Sequence, residues 1–172
     1  MVERVEYNIK QRIDDVEIRH YPRLVLAVVR DLEDNEAFGF LFRYISGENI
    51  SDQEIEMTVP VISSQEIDMI VPVISGSNYM AFVLPLKFTI DNAPKPKNPR
   101  VKLEERKSKN LAVLRFRGKA KQEDIKEKTK TLLSILNKHK IKTQGEPILM
   151  RYNPPFIPGF IRRNEIAFEV EI

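Results

Sequence analysis

The chain has 172 residues, 42% apolar and 31% charged, which is enough for one globular domain with its own core. It has no cysteine, which excludes disulfides, zinc–thiolate sites, iron–sulfur clusters, cysteine nucleophiles and thioether-attached haem. The net charge of +3 is uneven: residues 1–86 hold 7 Lys and Arg against 15 Asp and Glu, and residues 87–172 hold 21 against 10.

A basic second half suits either an anion surface or solvated helix and loop faces. Its lysines are scattered rather than interleaved with aromatics, so no nucleic-acid partner is expected. No run is apolar enough for a signal peptide or a membrane span, so a cytoplasmic protein without a membrane partner is expected.

In chain order, Val5–Arg12 alternates weakly as a first strand and Asp14-Asp15 reads as a turn. Val16–Tyr21 alternates again and stops at Pro22. Leu24–Val29 is continuously apolar, as in a central strand covered on both faces. A helix is expected from about Asn35 to Ser46-Gly47, where glycine suits the left-handed cap. Phe38, Leu41, Phe42 and Ile45 fall on one face of it at core spacing. Phe40 and Tyr44 fall on a second face, with Ala37 and Leu41 at its border. A helix apolar on two faces is either wholly buried or presents the second face to a ligand, to loops or to another copy.

Next comes one phrase written twice. Glu54–Ser63 and Glu66–Ser75 agree at eight of ten positions, differing only at Glu56/Asp68 and Thr58/Ile70. Each copy alternates like a half-buried strand and then meets a proline, which donates no ladder hydrogen bond and so demands a bulge or an edge. Tyr79–Leu84 is a further strand, and residues 91–99 form a loop with three prolines.

The second half repeats the layout. Strands are expected at Val101–Arg106 and Leu111–Phe116, and a helix from about Gln122 to Lys140 faces the core with Ile125, Leu132, Leu133, Leu136 and His139. Strands follow at Pro147–Tyr152 and Asn164–Ile172, separated by a proline-rich loop. Both halves read strand-strand-helix-strand-strand. The class is therefore α+β, a duplicated unit with two helices against antiparallel sheet, in one domain over residues 1–172.

Several marks stand together in order along the chain. They are Glu17–Pro22, the helix end Tyr44-Ile45-Ser46-Gly47-Glu48-Asn49, the phrase Ile55–Val61, Leu84-Pro85, Arg151-Tyr152-Asn153-Pro154-Pro155 and Arg162-Arg163-Asn164-Glu165. Over about residues 5–172 the sequence resembles the SOUL haem-binding protein family. The phrase at 55–61 is the closer copy of that family's lysine-isoleucine-alanine-methionine-threonine-alanine-proline-valine signature.

The resemblance implies two pseudo-symmetric βαββ-like repeats forming a curved antiparallel sheet or distorted barrel flanked by two helices. The same architecture is used by gyrase-inhibitor-like effector-binding domains. It also implies non-covalent binding of haem or another tetrapyrrole, without enzyme activity, in an apolar groove beside the first helix. In this sequence that groove maps to Ala37, Phe40, Leu41 and Tyr44, with Arg43 and Arg23 as propionate partners. His20 is either an axial iron ligand or an exposed strand histidine. His139 and the methionines Met57, Met69, Met80 and Met150 are weaker ligand candidates, since methionine on a strand is usually core filler.

The sequence departs from the family in carrying Ile70 where Thr58 stands in the first copy, Val59 before the proline, acidic Glu56 and Asp68, and no tryptophan. Two other functions are compatible with it. One is a small-molecule hydrolase in which Glu165 meets Tyr152 across neighbouring strands and acts as a general base. Against that stands a structural pairing of Glu165 with Arg162, Arg163 or Arg151. The other is an oligomer that buries Phe40 and Tyr44. No nucleotide loop is present among the six glycines.

Overall fold

The computed structural model describes residues 3–64, 78–153 and 158–172. The second copy of the doubled phrase, Glu66–Ser75, and Phe156 lie outside the described residues. The chain folds into two compact units. Unit 1 takes residues 1–5, 23–63 and 77–107, and unit 2 takes the remainder.

Unit 1 contains β1 (Glu3–Arg4). Unit 2 then begins with β2 (Asn8–Ile13) and β3 (Val16–Tyr21), a hairpin turning at Asp14, where φ is +52°. Unit 1 continues with β4 (Leu24–Arg30), α1 (Asp34–Ile45), β5 (Thr58–Ser64), β6 (Tyr79–Val83) and β7 (Lys102–Arg106). Unit 2 is completed by β8 (Lys109–Arg117), α2 (Gln122–Lys138), β9 (Thr143–Arg151), the short 3-10 turn η1 (Gly159–Ile161) and β10 (Arg163–Val170). The class is α+β, as the residue patterns require.

The two units share one topology. Unit 1 orders its antiparallel strands β5-β6-β4-β7, with α1 linking β4 to β5. Unit 2 orders its own β9-β10-β8-β3, with α2 linking β8 to β9 and β2 added outside β3. The strand just before the central strand of each sequence half therefore serves the unit built by the other half: β3 pairs with β8, and β7 with β4. The link between β3 and β4 explains this locally. Pro22-Arg23 offers none of the left-handed residues that a two-residue hairpin needs, so the two strands take different partners.

In unit 1, β4 lies between β6 and β7, as its unbroken apolar run predicts. Val25, Ala27 and Val29 of β4, with Met80 and Phe82 of β6 and Leu84 just beyond it, pack under α1. The helix buries Ala37, Leu41, Tyr44 and Ile45. This corrects the face assignment made from spacing. Tyr44 belongs to the core stripe, and Phe42 is 50% exposed. The reason is chemical: the Tyr44 hydroxyl donates to the Pro94 carbonyl at 2.6 Å, so a buried phenol is satisfied and its ring can fill the core. Asp34 and Glu36 in the first turn and Arg43 in the last match the helix dipole.

Only part of the first phrase copy is strand. Residues 54–57 lie outside regular structure, and Met57 packs partly against the core. The expected proline irregularity is present in β5. The register against β6 jumps from Thr58↔Val83 to Val61↔Phe82, leaving Val59-Pro60 unpaired with β6 as a bulge.

In unit 2, Ile125, Leu132 and Leu136 of α2 pack on Ile18, Ala112, Leu114, Leu149 and Ile166. The expected helix ends two residues early. His139 is its C-cap and is exposed, with Nδ1 3.0 Å from the Ile135 carbonyl oxygen, so it is not a core residue. Asp124 caps the other end by accepting from the Lys121 backbone N–H at 3.2 Å.

Candidate functional site

Two groups of residues carry chemistry, one in each unit. In unit 2 the β10 carboxylate of Glu165 is fully buried. Alternation places Glu17, Arg19 and Tyr21 on one face of β3, opposite the face that Val16 and Ile18 turn toward α2. Arg19, 1% exposed, donates to both Glu165 oxygens, at 2.8 and 2.7 Å, as a bidentate fork. It also donates to Glu17 at 2.9 Å and to the Tyr21 hydroxyl at 2.9 Å. Its guanidinium lies 4.1 Å from the Tyr7 ring centroid.

Two more arginines approach the same carboxylate. Arg163 donates to it at 3.0 Å, with its guanidinium 4.2 Å from the Tyr152 ring centroid, and Arg115 lies 3.5 Å away. Tyr152 follows β9 beside β10, its backbone N–H donating to the Arg163 carbonyl at 3.3 Å. Burial pushes the Glu165 carboxyl up, but the Arg19 hydrogen bonds and charge, with help from Tyr152 and Arg163, overcome this and hold it at about 2. Burial and the Glu165 charge push the Tyr152 phenol far above its ordinary value.

This is an ion-pair centre, and Arg163 is indeed one of its partners. The dominant partner, Arg19, was missed. It stands 146 positions from Glu165 on a strand on the other side of β8. The available signal was the charged face Glu17-Arg19-Tyr21 on a strand whose other face is apolar.

In unit 1, α1 presents its outer face. Phe42 is half exposed and stacks on Phe38 with centroids 6.1 Å apart. Phe38 packs edge-on against Phe82 at 5.2 Å, anchoring the pair to the core. Around the helix, the next position past Phe42 is Gly39, and past it Arg43. A Cβ at Gly39 would meet only the Arg43 guanidinium, at 3.6 Å. The Arg43 side chain is 53% exposed, lies 4.8 Å from the Phe40 centroid and pairs loosely with Glu48 at 3.6 Å. The result is an exposed ring next to a residue without a side chain, over which a partly exposed cation lies.

The residues named from sequence separate into groups. Phe40 and Arg43 are on or beside this surface. Ala37, Leu41 and Tyr44 are 2% exposed or less and lie beneath the helix, and burial pushes the Tyr44 phenol up to about 12. Arg23, 3.7 Å from Glu105, lines a separate cavity of about 120 Å³ in unit 1 with Val25, Leu84, Leu86 and Phe88. His20 is in unit 2, half-buried, with Nδ1 2.8 Å from the Asn110 side-chain oxygen. Met80 and Met150 are core residues. Among the described residues, no cluster of three His, Asp or Glu is arranged to hold a metal ion, and no helix is long and apolar enough to cross a membrane.

Residues 2–169 match the SOUL heme-binding protein family. The chain belongs to this family.

No curated protein matches the SOUL chain significantly. Among solved structures it is similar to EcmrR in its complex with DNA, at 8% identity and TM-score 0.66. That match covers 91% of this chain but only 57% of EcmrR, so the chain spans little more than half of that protein's length. The C-terminal domain of EcmrR alone matches at 10% identity and TM-score 0.64, covering 96% and 98% of the two chains. A hydrolase from Listeria innocua matches at 11% identity and TM-score 0.66, covering 94% of each. At such identities these likenesses establish the fold alone.

Proposed function

We propose that this SOUL protein is a cytoplasmic carrier that binds haem or another tetrapyrrole non-covalently on the outer face of α1. The observation that carries this is the exposed Phe42 ring beside Gly39, where the Arg43 guanidinium lies within 3.6 Å of the place a side chain would start. A flat macrocycle lies over a position without a side chain, stacks its edge on Phe42 and offers a carboxylate to Arg43. The cavity beside Arg23, about 120 Å³, is too small to take a macrocycle, since ligand pockets run to roughly 300–1,000 Å³.

Affinity comes from apolar and aromatic contact rather than from an iron ligand, because α1 carries no histidine, cysteine or methionine. Metal-free protoporphyrin therefore binds within a few-fold of haem. A titration of each, followed by absorbance and quenching, tests this. Saturable binding of both at micromolar concentration supports the reading. Tight binding of haem without binding of protoporphyrin would assign affinity to an axial ligand, with His20→Ala as the variant to examine.

A hydrolase centred on Glu165 and Tyr152 has less support. A general base must be poised near the working pH and free to take a proton. Glu165 sits at about 2 with Arg19 on both oxygens, and the Tyr152 phenol is driven upward, away from that range.

A further inference from the structure

The loop that leads from β8 into α2 and the 3-10 turn η1 are fastened together into one tip at an end of the unit 2 sheet. The Gly118 N–H donates to the Arg162 carbonyl at 3.1 Å. The buried Asn164 side chain donates to the Gly118 carbonyl at 2.7 Å, and Arg117 donates to the Ile161 carbonyl at 3.1 Å. The aliphatic stem of Lys119 lies across Gly159, in the space a Cβ there would need. Fastened this way, the tip holds Phe160 77% exposed and Ile161 44% exposed.

A large aromatic ring held in water on an ordered support needs a reason. The surroundings supply one. Arg117, hydrogen-bonded to Ile161, and Lys119, lying against Gly159, are exposed, as is Lys121 two residues further on, and Arg162 is partly exposed. Among the carboxylates of the adjoining elements, Asp124 is turned back onto the Lys121 backbone N–H. Glu123 sits in the same first helical turn, and Asp14-Asp15 turn the hairpin on the far side of β8.

We infer that the Phe160–Ile161 tip is a peripheral docking surface for an anionic lipid bilayer. Two protruding apolar side chains ringed by cations match the boundary between acyl chains and negatively charged headgroups. A nucleic acid would leave Ile161 in water. A protein partner would need a far wider apolar area than two side chains, since specific interfaces bury at least about 1,000 Å² in all. The attachment is weak and reversible, because a few apolar groups and charges fall short of an anchor.

The test is co-sedimentation of the ligand-free protein with phosphatidylcholine vesicles, with and without phosphatidylglycerol. The protein should pellet only with phosphatidylglycerol. Binding should fade between about 0.1 M and 1 M salt, as the screening length drops from about 10 Å to 3 Å. Phe160→Ser should lower the partition coefficient about tenfold or more, and Lys119→Glu combined with Lys121→Glu by a similar factor. All these positions are exposed, so an unchanged circular dichroism spectrum confirms that the fold is intact. Failure to bind phosphatidylglycerol vesicles, undiminished binding by Phe160→Ser, or binding to DNA or an acidic peptide in place of vesicles would each overturn the inference.

Discussion

Helix α1 of unit 1 and the Glu165 centre of unit 2 use similar residue types, aromatic rings and arginines, to opposite ends. On α1, Phe42 and Arg43 are about half exposed, and Arg43 touches its carboxylate partner only at 3.6 Å. Around Glu165, one carboxylate is surrounded by three arginines and a tyrosine, and the chief partner is 1% exposed. Buried charge must be satisfied internally, and once satisfied it has little capacity left for a ligand. Exposed charge beside an apolar ring keeps its capacity, because water is easily displaced from it. The difference marks unit 2's centre as an internally satisfied ion-pair cluster, and it is why the proposed ligand face is placed on α1.

The sharpest way to break this contrast is Arg19→Met. It leaves the Glu165 charge without its fork, and should destabilise the protein by about 3–5 kcal/mol in urea unfolding. A loss below about 1 kcal/mol would mean that Arg115 and Arg163 suffice without it.

Acid should act on the same centre almost as strongly. The folded carboxyl at about 2 lies below its ordinary 4.5, so its stabilisation is complete above about pH 4.5. It is lost as pH falls toward 2, amounting to about 3 kcal/mol. Glu165→Gln should flatten that acid limb in a pH series of denaturation midpoints.

Replacing the fork as a whole, with Arg19→Met and Glu165→Leu together, should cost far less than Arg19→Met alone. That comparison separates the worth of the pair from the penalty of a stranded charge.

Substitutions on α1 should cost little stability. Gly39→Gln should be neutral or stabilising by up to about 1 kcal/mol, since glycine is a poor helix residue and a Cβ there would meet only the Arg43 guanidinium, at ordinary contact distance. Phe42→Asp should cost about 1 kcal/mol, since half the ring is buried and it stacks on Phe38.

Much of this could be read in the residues before any coordinates. Both helices, β3 and the central position of β4 follow from period and punctuation, and β5 carries the irregularity that Pro60 demands. What could not be read was partnership. Pro22-Arg23 argues against a tight β3–β4 hairpin, but nothing local names β8 as the neighbour of β3, so the exchange of strands between the halves stayed hidden, and Arg19 with it. On α1, periodicity placed apolar residues on two faces but could not say which lay inward. Tyr44 reached the core because the Pro94 carbonyl, fifty positions away, satisfies its hydroxyl.

The central claim, that the ligand face is α1 and not the charged centre, is tested most directly by one experiment. Haem is titrated against the parent protein, Gly39→Gln and the Arg19→Met/Glu165→Leu pair, following the Soret band. The account predicts that Gly39→Gln, folded and no less stable than the parent, loses about tenfold or more in affinity by placing a side chain under the macrocycle, while the paired variant binds as the parent does. Unchanged binding by Gly39→Gln together with lost binding by the paired variant would contradict it.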